Sequence, residues 1–76
     1  MIRFFKYTTQ TSVVVLNTNK IKFLVLSDEI SQTEDGQRFP RPCLRIQVEG
    51  APEYKVFDKD ATRIMAEFTN FMDKEL

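Results

Sequence analysis

The 76-residue sequence contains no histidine, no tryptophan, a single cysteine and two glycines. Each scarcity closes off a class of chemistry. Without histidine the chain lacks the commonest general base near neutral pH and the commonest transition-metal ligand. Cys43 alone can form neither an intrachain disulfide nor a thiolate metal site. As a nucleophile it would lack an activating imidazole. Beside Leu44 and Ile46 it reads as a small buried residue, with no sign of an oxidising compartment. Gly36 and Gly50 are too few for a glycine-rich phosphate loop. The longest apolar runs, Val13–Leu16 and Phe23–Leu26, are far shorter than a signal-peptide core or a membrane span. The expectation is a non-catalytic, cytoplasmic protein with no cofactor and no membrane partner.

Charge is balanced in total, with 11 basic and 11 acidic residues, but uneven along the chain. Residues 1–27 carry Arg3, Lys6, Lys20 and Lys22 and no acid. From Ile46 onward Glu49, Glu53, Asp58, Asp60, Glu67, Asp73 and Glu75 outnumber Lys55, Lys59, Arg63 and Lys74. Either these are solvated faces, or a basic strand surface meets an anion or an acidic partner.

At this length one domain spans residues 1–76, near the size where burial barely offsets chain entropy. Its order reads as strands followed by one helix. Ile2–Tyr7 is aromatic and β-rich, and Thr8–Thr11 is a polar break. Ser12–Leu16 and Lys20–Ser27 are further strands. Thr18-Asn19 as a two-residue turn pairs Leu16 with Ile21 and Val14 with Phe23. Asp35-Gly36 is a second hairpin signal, pairing Val25 with Ile46 and Phe23 with Val48. Pro40 and Pro42 lack ladder donors, so the far end of that hairpin should either fray or project. A loop over Gly50–Pro52 pairs Val48 with Tyr54 and Ile46 with Val56. Asp58 or Asp60 can then cap a helix, on which Ala61, Ile64, Met65, Phe68, Phe71 and Met72 form one apolar stripe.

The sum is an α+β fold, an antiparallel meander of four or five strands with the C-terminal helix on one face. The core should hold Leu16, Ile21, Phe23, Val25, Leu44, Ile46, Val48, Val56, Ile64, Met65, Phe68 and Met72. The opposite face would then carry Val13, Val15, Leu24 and Leu26, where an antiparallel sheet facing water should be polar. Their burial is worth on the order of 6 kcal/mol. Either the sheet curls to cover them, or another chain does, a second copy foremost. That makes Val13, Val15, Leu24 and Leu26 the candidate oligomer or partner surface, and a homodimeric protein-binding or accessory module the expected function.

Other candidates are thinner. The acid pairs Asp28 with Glu29 and Glu34 with Asp35 fall at a hairpin tip, where carboxylates are routinely just solvated, and their spacing is not that of a calcium loop. Phe39-Pro40-Arg41-Pro42 reads as a stiff extended hook that either docks on a partner or anchors a loop. The first strand interleaves cations and rings, so a single-stranded nucleic acid is the alternative ligand. Arg3, Lys6, Lys20, Lys22 and Arg45 would contact phosphates while Phe5 and Tyr7 stack bases. The alternative within that strand is that Phe4 or Phe5 anchors it to the core.

From Ile21 to Met72, with Asp35-Gly36 and its neighbouring arginines, the order of elements resembles the transcription-coactivator type of single-strand-binding domain. That resemblance implies a curved four-stranded sheet with basic and aromatic residues and a dimerising helix. The neutral chain and acidic helix depart from that pattern. The size and the segments Asn17–Ile21 and Val48–Val56 are also similar to small flagellar-operon and phage accessory proteins, which implies an inhibitor or assembly factor of a larger machine.

Overall fold

A computed structural model describes residues 3–74. Ile2, placed above in the first strand, and Glu75, placed in the acidic tail, lie outside the described residues. Five strands precede one helix: β1 (Phe4–Thr8), β2 (Val13–Asn17), β3 (Ile21–Gln32), β4 (Arg38–Val48), β5 (Tyr54–Phe57) and α1 (Asp58–Asp73). The α+β class is as expected, but the strands form two antiparallel sheets, β1-β2 and β3-β4-β5, and not one meander.

The division has a local cause at each turn. The turn between the first two strands runs over Thr9–Ser12, where a polar break over Thr8–Thr11 and a strand from Ser12 were expected. The Thr9 hydroxyl accepts from the Ser12 and Thr11 amides, and the Thr9 amide donates to the Ser12 carbonyl at 2.8 Å. β2 therefore folds back on β1, pairing Leu16 with Phe5 and Val14 with Tyr7. The expected turn at Thr18-Asn19 is instead a 3-10 turn over Thr18–Lys20, whose entry is fixed by the Asn17 side chain accepting from the Asn19 amide at 3.0 Å. The Thr18 amide and hydroxyl both donate to the Arg3 carbonyl. This turn directs the chain out of the first sheet, so Leu16 and Val14 never meet Ile21 and Phe23.

The β3–β4 register also differs from expectation, by one residue. Val25 faces Arg45 and Leu24 faces Ile46, because the tip is a five-residue loop over 33–37 and not a two-residue turn. Thr33 closes it: its amide donates to the Gln37 carbonyl, its carbonyl accepts from Gly36, and its hydroxyl accepts from the Gln37 amide. Gly36 sits at φ 92°, where a side chain is disfavoured. A one-residue slip exchanges the two faces of a strand. Phe23 and Val25 thus leave the expected core, and Leu24 and Leu26 move to the core-facing side. A bulge between Ile21 and Phe23 lets Ile21 remain opposite Val48. The β4–β5 register moves by two residues, Ile46 facing Tyr54 and Leu44 facing Val56, so there the predicted face survives.

Of the two outcomes expected at the prolines, the hairpin projects and does not fray. Asp28 pairs with Pro42 and Ile30 with Pro40. Two residues apart, both prolines turn their nitrogens to the same side of β4, away from β3, where no donor is required. Since β5 pairs only with Cys43–Ile46, Asp28–Gln32 and Arg38–Pro42 form a two-stranded arm beyond it. The molecule measures 50 × 25 × 21 Å.

The core lies where the inner faces of both sheets meet α1. Phe5, Tyr7, Leu16, Leu44, Ile46, Ala61 and Ile64 are buried together, with Val14, Ile21, Leu24, Val48, Val56, Met65, Phe68 and Phe71 packed against them. Met72, expected inside, is largely exposed. Phe5 meets Phe68 edge-on, ring centroids 5.1 Å apart at 81°, and Phe71 at 5.4 Å. Such contacts add to simple area burial. Alternation along β1 therefore predicts opposite outcomes for adjacent residues. Phe5→Ala should destabilise the domain by roughly 3–5 kcal/mol, whereas Phe4→Ala should change stability by less than about 0.5 kcal/mol. Chemical denaturation of the two variants measures this directly, and equal losses would contradict the strand's orientation.

Candidate interaction surfaces

On the solvent side of the first sheet, Lys6 faces Val15, Thr8 faces Val13 and Phe4 faces Asn17. Phe4, Val13 and Val15 are 59%, 66% and 57% exposed. They form a diagonal apolar strip with the Lys6 ammonium beside it. Val13 and Val15 thus sit on an outward face. Leu24 and Leu26 do not join them: they lie on the helix side of β3, Leu24 half-buried against the core and Leu26 39% exposed where the arm begins. The four residues expected to share one surface occupy two. Sequence reasoning missed Phe4, whose exposure follows from the same alternation that buries Phe5.

A second apolar region lies on the arm. Ile30 is 64% exposed, and Pro40 stands across the ladder from it. Phe39, on the opposite face, is also exposed. Between the sheets, Tyr7, Val14, Tyr54 and Val56 help line an open groove of about 380 Å³. Burial, and then the nearby Tyr54, raise the Tyr7 phenol above its ordinary pKa.

The residues proposed for nucleic acid are dispersed. Phe5 and Tyr7 are 4% and 3% exposed, so neither offers a ring to a base; this corrects the stacking role expected of them. Arg3 lies over the Phe71 ring at 4.2 Å. Arg45 is engaged by Glu53 at 2.6 Å and lies over Phe23 at 5.6 Å. Lys6, Lys20 and Lys22 are exposed, but Lys6 belongs to the first sheet while Lys20 and Lys22 flank the start of β3.

The outer face of the larger sheet is laced by ion pairs. Lys55 meets Glu29 at 3.0 Å across the width of the sheet. Arg41 grips Asp58 through two hydrogen bonds of 3.1 and 2.7 Å and covers the Phe57 ring at 4.4 Å. Asp58 has φ 64°, a left-handed conformation that Asp tolerates better than most side chains. Its carboxylate, expected to cap the helix, is turned instead to Arg41, and α1 begins without a side-chain cap. Cys43 is buried between these pairs, its thiol pKa raised by burial and then by the Glu29 carboxylate. The thiol stays protonated at neutral pH, which leaves it a weak nucleophile.

Among the described residues, no group of three or more His, Cys, Asp and Glu side chains is placed to hold a metal ion, and no helix is long and apolar enough to cross a membrane. Comparison with protein-family models, curated proteins and solved structures finds no match.

Acid should weaken this sheet face. The hydrogen bonds from Arg41 hold the Asp58 carboxyl below its ordinary pKa, and the Lys55 hydrogen bond does the same for Glu29. Their contribution is complete above the unfolded carboxyl values of about 4 and disappears as pH falls through the lower folded ones. Calorimetry should show a melting temperature that holds between neutrality and about pH 5 and then declines. Asp58→Asn should reduce that decline. An Asp58→Asn profile parallel to the parent's would show that the pair does not stabilise the fold.

Proposed function

We propose that this chain is a non-catalytic, self-associating protein-binding module that adapts or inhibits a larger assembly. The observation that carries this reading is the solvent-facing strip of Phe4, Val13 and Val15. In a domain so small, three large apolar side chains held together on an ordered ladder are a contact surface in the making. Lys6, directly across from Val15, defines the partner's chemistry: an apolar strip with a carboxylate at its edge. The exposed apolar residues of the arm form a second region, on the other sheet. Two separated surfaces suit a module that both joins its own copies and engages something else.

The nucleic-acid reading loses support from the same geometry. Its rings are interior, and Arg45 is already engaged. A labelled oligonucleotide should show no salt-dependent binding at low ionic strength, where phosphate attraction is strongest.

Sedimentation velocity across the micromolar range should reveal a monomer–dimer equilibrium; a monomer throughout would refute self-association. Affinity capture from the native host with parent and Val15→Lys baits tests the strip as the partner's site. The partner should be retained by the parent and lost by the variant, with both baits equally folded by circular dichroism. A partner held equally by both would show that the strip is not its site.

A further inference from the structure

Among the described residues, every strand edge except one is short or blocked. β1, β2 and β5 are five, five and four residues long. The free side of β4 along the arm carries Pro40 and Pro42, which cannot donate to an incoming strand. β3 differs: it is a twelve-residue edge strand with neither proline nor glycine. From Phe23 to Gln32 its ladder with β4 is regular, so its other side presents an unbroken row of alternating backbone donors and acceptors. Val25, Leu26 and Ile30 along it are all exposed.

The strand is also polarised. Lys22 stands near its beginning and Asp28 in its second half, and neither makes an ion pair among the described residues. A strand with a cation near its start and an anion past its middle, neither in an ion pair among the described residues, complements itself when turned antiparallel about a point between them.

We propose that two copies join along β3, antiparallel about a two-fold axis at Val25, to make a continuous six-stranded sheet. This rests on the self-association proposed above and names where it occurs. The occupant of the edge is a second copy because the register that serves the backbone also serves the charges. Centring on Val25 sets Leu24 opposite the partner's Leu26 and Phe23 opposite the partner's Ser27, and brings Lys22, the extra residue of the bulge that precedes the regular ladder, to the level of the partner's Asp28. Each side-chain match occurs twice by symmetry. The same register carries Ile30, on the projecting arm, to the level of the partner's Lys20. The arm thereby gains a second body to lie against. The core-facing leucines of both copies form one run across the junction.

Charge reversal and distance measurement test the register. Lys22→Glu and Asp28→Lys should each weaken the dimer about tenfold, since each replaces two attractions by two repulsions. The combined Lys22→Glu/Asp28→Lys chain should regain the parent dissociation constant to within about twofold. Recovery in the combined variant also shows that neither single change simply unfolds the domain. In a Cys43→Ala background, nitroxide labels at Ser27 should lie about 14 Å apart along the strand axis between copies. Labels at Ser31 should lie about 40 Å apart, at 3.4 Å per residue. A dimer indifferent to both reversals, or one with labels at Ser31 closer than those at Ser27, would place the junction elsewhere and overturn the proposal while leaving self-association standing. A monomer at every concentration would overturn both.

Discussion

Among the described residues no backbone ladder joins the β1-β2 hairpin to the three-stranded sheet, and the two are held together by side chains. Phe5 is the hinge of that closure. Its ring meets Phe68 and Phe71 on the helix, and Arg3, two residues before it, lies over Phe71. At the other end of β1, Arg63 donates to the Thr8 carbonyl while pairing with Asp60 and Glu67 on its own helix. An aromatic contact near one end and a charged hydrogen bond at the other thus hold the strand to α1. Exposed pairs of this kind contribute little alone. The aromatic cluster dominates, and it explains why the helix stripe extends as far as Phe71.

With the hairpin seated in this way, its inner face serves the core and its outer face is left to solvent. A two-stranded sheet has too few positions to diversify, so Phe4, Val13 and Val15 are exposed by the same alternation that buries Phe5, Tyr7 and Leu16. The apolar character of that outer face is not required for folding. Polar residues there would leave the core unchanged, and this is what gives the strip meaning as a surface. The outer face of the larger sheet makes the contrast. Its Phe57 and Phe23 rings lie under Arg41 and Arg45, and its charges pair with one another, as in Arg41 with Asp58 and Lys55 with Glu29. The centre of that face is covered by its own side chains, whereas the strip on the first sheet is open to solvent.

Much of this was legible in the chain. The helix stripe from Ala61 to Phe71, the existence of all five strands and the outward placement of Val13 and Val15 follow from spacing alone. What failed was parity. The Asp35-Gly36 signal located a turn, but Thr33 widened it to five residues, and a slip of one residue exchanged Phe23 and Val25 for Leu24 and Leu26. Runs such as Phe23–Leu26, apolar at consecutive positions, carry no alternation from which to recover a face. The Asn17–Lys20 segment failed for a related reason. An asparagine that accepts from its own chain two residues on supports a 3-10 turn as readily as a tight hairpin. The deciding preference is the non-local match of Leu16 to Phe5, which no local reading contains.

The arm connects these points. A ladder extending beyond β5 has no helix beneath it, so its stability comes from cross-strand pairs and a well-closed tip. Isolated two-stranded ribbons are marginal in water. Here the Arg41 grip on Asp58 ties the arm's base to the start of the helix, and Thr33 organises its tip through the Gly36 and Gln37 backbone. These contacts order the two ends and leave the middle, with Ile30 opposite Pro40, exposed. The prolines close one edge of that middle to further pairing and do nothing to the other. A segment ordered at both ends, with Ile30 and Phe39 exposed between them and one side blocked by proline, keeps a single edge open to further strand pairing, which is the free edge of β3.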